Sequence, residues 1–181
     1  MLIKILIGLA VVGVALVVFI AMQPDGFRVA RTTMVNAPAS DVFAQVNDFH
    51  KWAVWSPFEK LDPAMKKTFS GVPDGEGAVY GWSGNDKAGE GSMTIVESRP
   101  GRTIRMTLAF IRPFKVTNEV VFTFEAEGEK TKVTWAMTGQ RNFMFKAVGL
   151  LMNMDKTVGG EFEKGLADLK SVSESSAPSP S

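Results

Sequence analysis

The stretch KVTNEVVFTFEAEGEKTKVTWAMTG, residues 115–139, predicts two β-strands joined by a tight turn at Glu127-Gly128-Glu129. Apolar side chains occupy alternate positions on both sides of that turn: Val116, Val120, Phe122 and Phe124, then Val133, Trp135 and Met137. A period of two places all of them on one face of a sheet. The hairpin therefore indicates an antiparallel sheet with one buried face.

Similar runs precede this hairpin at regular intervals. They cover residues 27–35, 66–70, 78–83, 91–98 and 103–111, with turn residues between them. Because the links are short, we expect consecutive strands to pair antiparallel. Their inward side chains are Ile104, Met106, Leu108 and Phe110 on one strand, and Tyr80, Trp82, Met93 and Ile95 on two others.

Helical patterns flank the strands. NAPASDVFAQVND, residues 36–48, predicts a short helix, and residues 145–172 predict a long one. The long helix carries an apolar stripe: Val148, Leu151, Met152, Val158, Phe162, Leu166 and Leu169. The order favours an α+β fold in which a curved antiparallel seven-stranded sheet holds the C-terminal helix across its concave face.

The N-terminus predicts a membrane segment. Residues 5–22, ILIGLAVVGVALVVFIAM, contain no charge and would span about 27 Å as a helix. A cleaved signal peptide ending near Gly13 and Ala15 is the alternative, but it would leave Leu-Val-Val-Phe-Ile at the new N-terminus. We favour an uncleaved anchor in the cell membrane over residues 1–24, with the domain exported. The domain then covers residues 25–172, and a Ser/Pro-rich tail, 173–181, is expected to be disordered.

Composition excludes several classes of function. The 20 basic and 19 acidic residues give no basic surface for nucleic acid. Without cysteine and with one histidine, thiol chemistry and multi-histidine metal sites are excluded. GNDKAGEG, residues 84–91, lacks the spacing of a phosphate-binding loop. We expect no metal and no cofactor, and the sequence does not predict an oligomeric state.

Residues 35–57, VNAPASDVFAQVNDFHKWAVWSP, resemble the opening of the START/Bet v 1-like superfamily. Within it, the similarity is to the bacterial polyketide cyclase/dehydrase and lipid transport proteins of the SRPBCC group. GEGSMTIVES (89–98) and MDKTVGGEFEKGLADLK (154–170) are similar to the middle and end of that family. The resemblance implies a helix-grip fold with a deep hydrophobic cavity. It does not fix a function, because the superfamily includes lipid carriers, hormone binders, cyclases and co-chaperones.

Three features around this cavity have more than one interpretation. Trp52 and Trp55 share a face and either fill the core or line the ligand entrance. His50, in a polar turn, is expected to be a surface or capping residue. Asn118 falls on the inward face of its strand, where a polar side chain needs a partner. That partner is the backbone of the long helix or a ligand head group, unless a bulge changes the phase.

Asp155 falls in the apolar stripe of the long helix. It caps the helix at a break near residues 153–155, pairs with Lys156 or an arginine, or faces the cavity. Only in the last case does it act on a ligand.

The sequence favours a membrane-anchored binding or carrier module for a hydrophobic or amphipathic small molecule, such as a lipid or isoprenoid. The predicted ligand-binding residues are Trp52, Trp55, Trp82, Met93, Met106, Phe110, Asn118, Trp135, Met137, Met152 and Asp155. One alternative is a polyketide cyclase or dehydratase with Asp155 as general acid or base, joined by Glu90 or His50. The other is a chaperone-like protein-interaction module. An apolar cavity wall favours carriage, two neighbouring carboxyl groups favour catalysis, and a collapsed cavity favours protein interaction.

Overall fold

The computed structural model describes residues 1–150 and 153–176. The strands are β1 (Gly26–Val35), β2 (Lys66–Gly71), β3 (Ala78–Ser83), β4 (Glu90–Arg99), β5 (Thr103–Arg112), β6 (Val116–Glu127) and β7 (Lys130–Gln140). The α-helices are α1 (Leu2–Ala21), α2 (Ala39–Val46), α3 (Phe143–Gly149) and α4 (Met154–Ser176), and two 3₁₀ helices cover Phe49–Val54 and Pro57–Lys60. All seven strands form one antiparallel sheet in the order β1-β7-β6-β5-β4-β3-β2.

The predicted fold is confirmed. The β6–β7 hairpin pairs Phe122 with Trp135 and Phe124 with Val133, so the two apolar series of residues 115–139 share one buried face. Gly128 makes the turn with a φ of 65°, a conformation that glycine adopts without steric cost. Helix α4 packs against this face.

The C-terminal helical region differs from the prediction in two respects. The helix expected over residues 145–172 is two helices, because Asn153 caps a new start: its side-chain oxygen accepts from the Lys156 backbone N–H at 3.0 Å. Helix α4 also continues to Ser176, so the expected start of the tail at residue 173 is wrong. Ser173 is buried, and Glu174 accepts from the Asn36 backbone N–H at 2.6 Å, which attaches the last turn to the end of β1.

Aromatic stacking holds α4 on the sheet. The rings of Phe162 and Trp135 lie parallel, with centroids 4.2 Å apart. Gly165 makes this approach possible, since a Cβ there would lie 2.7 Å from the Trp135 ring. Leu166 and Leu169 extend the buried face toward the C-terminus. The helix is therefore positioned by its apolar side chains on the concave face of the sheet, where it lies mainly along β1 and stacks on Trp135 of β7.

Trp55 lies at the centre of an aromatic cluster beneath α4. Its ring contacts those of Trp52, Trp135 and Phe122, with centroids 4.8 to 6.1 Å away, and it has no exposed surface. Its indole N–H donates to the Gln45 carbonyl oxygen at 3.2 Å, so the polar group is satisfied. This side chain is part of the core.

We predict that Trp55→Ala lowers the free energy of unfolding by about 3–5 kcal/mol, because it removes a buried ring and leaves a cavity. Val54→Ala is the control, since Val54 is the neighbouring residue, at the end of the 3₁₀ helix that Trp55 follows, but is exposed. Urea unfolding of the full chain in detergent, followed by circular dichroism, measures both. Equal effects of the two variants would contradict a core position for Trp55.

Candidate ligand-binding site

A cavity of about 350 Å³ lies between the concave face of the sheet and the N-terminal part of α4. Its wall is mainly apolar and comes from β3 to β7, the segment after Trp52, α3 and α4. It occupies the half of the sheet nearest to the β3–β4 and β5–β6 loops, where Lys87, Ala88, Pro113 and Phe114 form part of the wall. Lys87, Pro113 and Phe114 are exposed, and we call this end of the cavity its mouth. Toward the other end, core side chains fill the space.

Seven of the predicted ligand-binding residues line this cavity: Trp52, Trp82, Met93, Phe110, Asn118, Trp135 and Met137. Trp55 and Met106 do not, and both are fully buried in the core. Met106 has the predicted inward orientation, but it lies farther along β5 from the mouth than Leu108 and Phe110. Met152 falls outside the described residues.

Asp155 lies outside the cavity, and its predicted place in an inward stripe is wrong. Its side chain is 62% exposed and accepts two hydrogen bonds, each 3.0 Å, from the guanidinium of Arg31 on β1. Arg31 also donates to Glu163 at 2.6 Å. The guanidinium crosses α4 at Gly159, where a Cβ would lie 2.1 Å from it. This hydrogen bonding holds the pKa of Asp155 below its usual value, and the pair joins β1 to α4.

Asn118 is a buried polar residue in the cavity wall. The strand register runs without a bulge, pairing Asn118 with Leu108 on one side and Gly139 on the other. Its side-chain oxygen rests against Gly139, where a Cβ would lie only 2.1 Å away. Among the described residues nothing donates to this oxygen. Within the described residues, Asn118 therefore neither lies at a bulge nor bonds to the backbone of the long helix through this oxygen.

A carboxylate missed at the sequence level also lines the cavity. Glu59, in the second 3₁₀ helix, accepts from the Tyr80 hydroxyl at 2.6 Å, and its other oxygen pairs with the Lys67 ammonium. The Glu59 side chain is only 7% exposed. Burial, and then the hydrogen bond to Glu59, raise the pKa of Tyr80 well above its usual value. The alternation of β3 places Tyr80 inward, but no local pattern around Pro57 indicates that Glu59 reaches it.

The remaining acid–base candidates lie elsewhere. His50 is half-exposed, stacks on Phe69 with centroids 4.2 Å apart and bonds the Asp48 carboxylate at 2.9 Å. Glu90 pairs with Arg112 at 2.9 Å. Neither lines the cavity. Within residues 1–150 and 153–176, no group of three or more acidic, histidine or cysteine side chains is arranged to hold a metal ion.

Comparisons with known proteins agree with this architecture. The family model described as polyketide cyclase / dehydrase and lipid transport matches residues 26–174. Norcoclaurine synthase from Thalictrum flavum, in complex with dopamine and hydroxybenzaldehyde, is 10% identical, with a TM-score of 0.64 over 84% of this chain and 89% of that one. A Mesorhizobium loti protein is 14% identical, with a TM-score of 0.61 over 84% and 100%. The Aha1 dimer from Colwellia psychrerythraea is 13% identical, with a TM-score of 0.59 over 82% and 96%. At these identities the likeness shows the fold alone, and no curated protein sequence matches the chain.

Tyr80 gives a direct test of the Glu59 contact, because it is the only tyrosine in the chain. Since its pKa is raised in the folded state, it contributes stability that is complete below the unfolded-state pKa and is lost as pH rises through the folded-state pKa. We predict that phenolate absorbance appears only at higher pH than for free tyrosine, together with unfolding. Glu59→Gln should move the transition to lower pH. Titration at the ordinary tyrosine pKa in the folded protein would contradict the buried contact.

Proposed function

The chain belongs to the polyketide cyclase / dehydrase and lipid transport family, and from this premise we propose that it is a membrane-anchored module that binds one hydrophobic or amphipathic small molecule. The observation that carries the proposal is an apolar cavity whose wall includes Asn118, with a buried side-chain oxygen that has no hydrogen-bond partner among the described residues. Binding pockets for small molecules combine apolar walls with a few polar groups that fix the orientation of the ligand.

The position of Asn118 suggests how such a ligand lies. Asn118 is three residues from the β5–β6 loop, near the mouth, while Trp52 and Trp135 lie deeper against the core. A hydroxyl or another donor group of the ligand would donate to the Asn118 side-chain oxygen, and the apolar part of the ligand would reach inward toward the two indoles. A buried amide oxygen without a partner costs free energy. A ligand that donates a hydrogen bond to this oxygen would remove that cost, and the difference would add to its binding free energy.

The size of the cavity limits the ligand class. About 350 Å³ is near the lower end of the range of roughly 300–1,000 Å³ that is usual for small-molecule sites. A single acyl chain, a short isoprenoid or a few rings suit this volume better than a two-chain phospholipid. The norcoclaurine synthase complex with dopamine and hydroxybenzaldehyde supports a compact ligand, because that protein has the same fold.

In this proposal α1 is the anchor. It is 20 residues long, strongly apolar and almost wholly exposed, and by length and composition it is able to cross a membrane. A signal sequence has the same properties. We assign it as an uncleaved anchor that keeps the domain, from residue 25 onward, on the extracytoplasmic side.

An acid–base enzyme is the second candidate, and Glu59 is the observation that favours it. The version that used Asp155 fails because that carboxylate lies outside the cavity. Glu59 and Tyr80 line the wall and would be the proton-transfer groups. Both Glu59 oxygens, however, already have partners in Tyr80 and Lys67, and Glu59 is the single carboxylate among the described residues of the wall. These two facts favour binding over catalysis.

The proposal predicts that the full chain, purified from its own membrane, retains an extractable ligand. Native mass spectrometry should show one bound mass per chain that passes into organic solvent on lipid extraction. Simple carriage is contradicted if the purified chain never contains a ligand. It is also contradicted if a compound that the chain binds is released in a chemically changed form. The second result would favour the enzyme candidate.

Asn118→Leu separates binding from stability. We expect affinity for a fluorescent single-chain fatty alcohol, whose hydroxyl can donate to the Asn118 oxygen, to fall by about 5–150-fold, since one hydrogen bond of roughly 1–3 kcal/mol is lost. The free energy of unfolding should stay the same or rise, because an unpartnered buried amide is replaced by an apolar side chain of similar size. Thr107→Val, on the opposite face of β5, is the control. A loss of stability with unchanged affinity would show that Asn118 serves the fold instead.

A further inference from the structure

Helix α3 is fixed to the C-terminal end of α1. The Lys146 ammonium donates to the Ala21 carbonyl oxygen at 3.1 Å and pairs with the Asp25 carboxylate at 2.5 Å, and its side chain is only 9% exposed. The Arg141 backbone N–H donates to the Asp25 carbonyl oxygen at 2.6 Å. The last carbonyls of a helix lack intrahelical partners and favour a cation. The connection between α1 and the domain is therefore held in place at this point.

The length of α1 sets the depth at which this contact lies. Twenty helical residues rise about 30 Å, which matches the hydrocarbon core of a bilayer. If α1 spans the membrane, Ala21 lies at its surface. Lys146 touches Ala21, so α3 lies at the same surface.

The outer side of α3 and the adjacent β5–β6 loop are apolar and exposed. We call this surface, which also takes in the last residues of β5 and the residue after α3, the mouth patch: Ile111, Phe114, Phe143, Met144, Val148 and Leu150. The loop and the helix meet where the rings of Phe114 and Phe145 lie 5.8 Å apart. Met144 is the most exposed of these side chains, at 67%. A contiguous exposed apolar patch, unlike a single exposed side chain, marks a site of interaction with a protein or a membrane. Lys115, in the same loop, is exposed and suits the anionic head groups of a lipid surface.

The same two elements border the entrance of the cavity. Pro113 and Phe114 of the loop, Phe145 of α3 and Met154 at the start of α4 all line it. An apolar surface that docks onto lipid would bring this entrance to the bilayer.

From these contacts we infer that the mouth patch is a membrane-docking surface, which sits in the head-group region of the bilayer that α1 crosses and opens the cavity directly to the lipid. The inference rests on the proposed anchor, and it adds that the lipid bilayer covers this surface. Continuity with α1 decides for lipid over a second copy or another protein, because Lys146 holds α3 where the anchor leaves the membrane. A ligand would then pass between bilayer and cavity without crossing water.

The absence of cysteine makes a direct test possible, since one introduced cysteine carries one label. Met144→Cys and Phe114→Cys report on the mouth patch, and Val11→Cys reports on α1. Val72→Cys is the control, because Val72 is exposed in the β2–β3 turn, at the other end of β3 from the loop that borders the cavity. Each full chain is labelled with an environment-sensitive fluorophore and placed in phosphatidylcholine/phosphatidylglycerol vesicles, some with a quencher on the acyl chains.

We expect the label at positions 11, 114 and 144 to lose emission when the quencher is present, and the label at 72 to keep it. If position 11 is quenched while 114 and 144 behave like 72, the docking surface is refuted and the anchor stands. If position 11 is not quenched, the anchor fails and the inference fails with it.

A second measurement covers the case in which a label disturbs the patch. Met144→Glu places a charge on the patch without touching the cavity wall. It should slow uptake of the fluorescent fatty alcohol from vesicles and leave its equilibrium affinity unchanged, while Val72→Glu changes neither. Uptake at the rate of the unmodified chain would overturn the inference.

Discussion

The stacking of Phe162 on Trp135 is the contact on which the site depends, because it fixes the distance between α4 and the sheet. Toward the C-terminus, Leu166 and Leu169 continue the contact and fill the space. On the N-terminal side of Phe162, helix α4 contributes only Val158 and Met154 to the cavity wall, because the helix starts at Met154. The mouth half of the sheet therefore stays unfilled. The cavity exists because α4 packs closely on the sheet from Phe162 to its C-terminal end but starts too late in the chain to cover the mouth half of the sheet.

Alternation along the strands made the sheet and its buried face predictable. Each inward residue predicted from residues 78–137 is buried or partly buried, and Asn118 among them has the expected orientation. Alternation defines a face but not a position along the strand. Trp82 and Met106 share the concave side, yet the first lines the cavity and the second is core. That distinction depends on where α4 covers the sheet, which is a long-range property.

Asp155 and Glu59 show two further limits of sequence reasoning. The stripe that included Asp155 was counted as one helix, whereas α3 ends at Gly149 and α4 begins at Met154 with its own helical phase. Counting back by fours from Phe162 gives Val158 and Met154, which do line the cavity, and leaves Asp155 at the edge, within reach of Arg31. Glu59 reaches Tyr80 across 21 residues of chain. No local period contains such a contact, so only the tertiary structure identifies the buried carboxylate.

The contact between Lys146 and α1 bears on how an anchor and a binding cavity work together. A flexible tether would leave the cavity free to face any direction, and the exposed apolar surface around its entrance would face water at a cost. Lys146 is buried, and a buried ammonium needs its partners. The Ala21 carbonyl and the Asp25 carboxylate provide them only while α1 ends against α3. Cleavage near Ala15 would keep both partners of Lys146 but leave Leu16, Val17, Val18 and Phe19 in water beside this contact, whereas the anchor that we propose would keep them in lipid. In the proposed arrangement, the cost of exposing this apolar stretch is the argument for an uncleaved helix, and the buried Lys146 pair sets the direction in which the cavity opens.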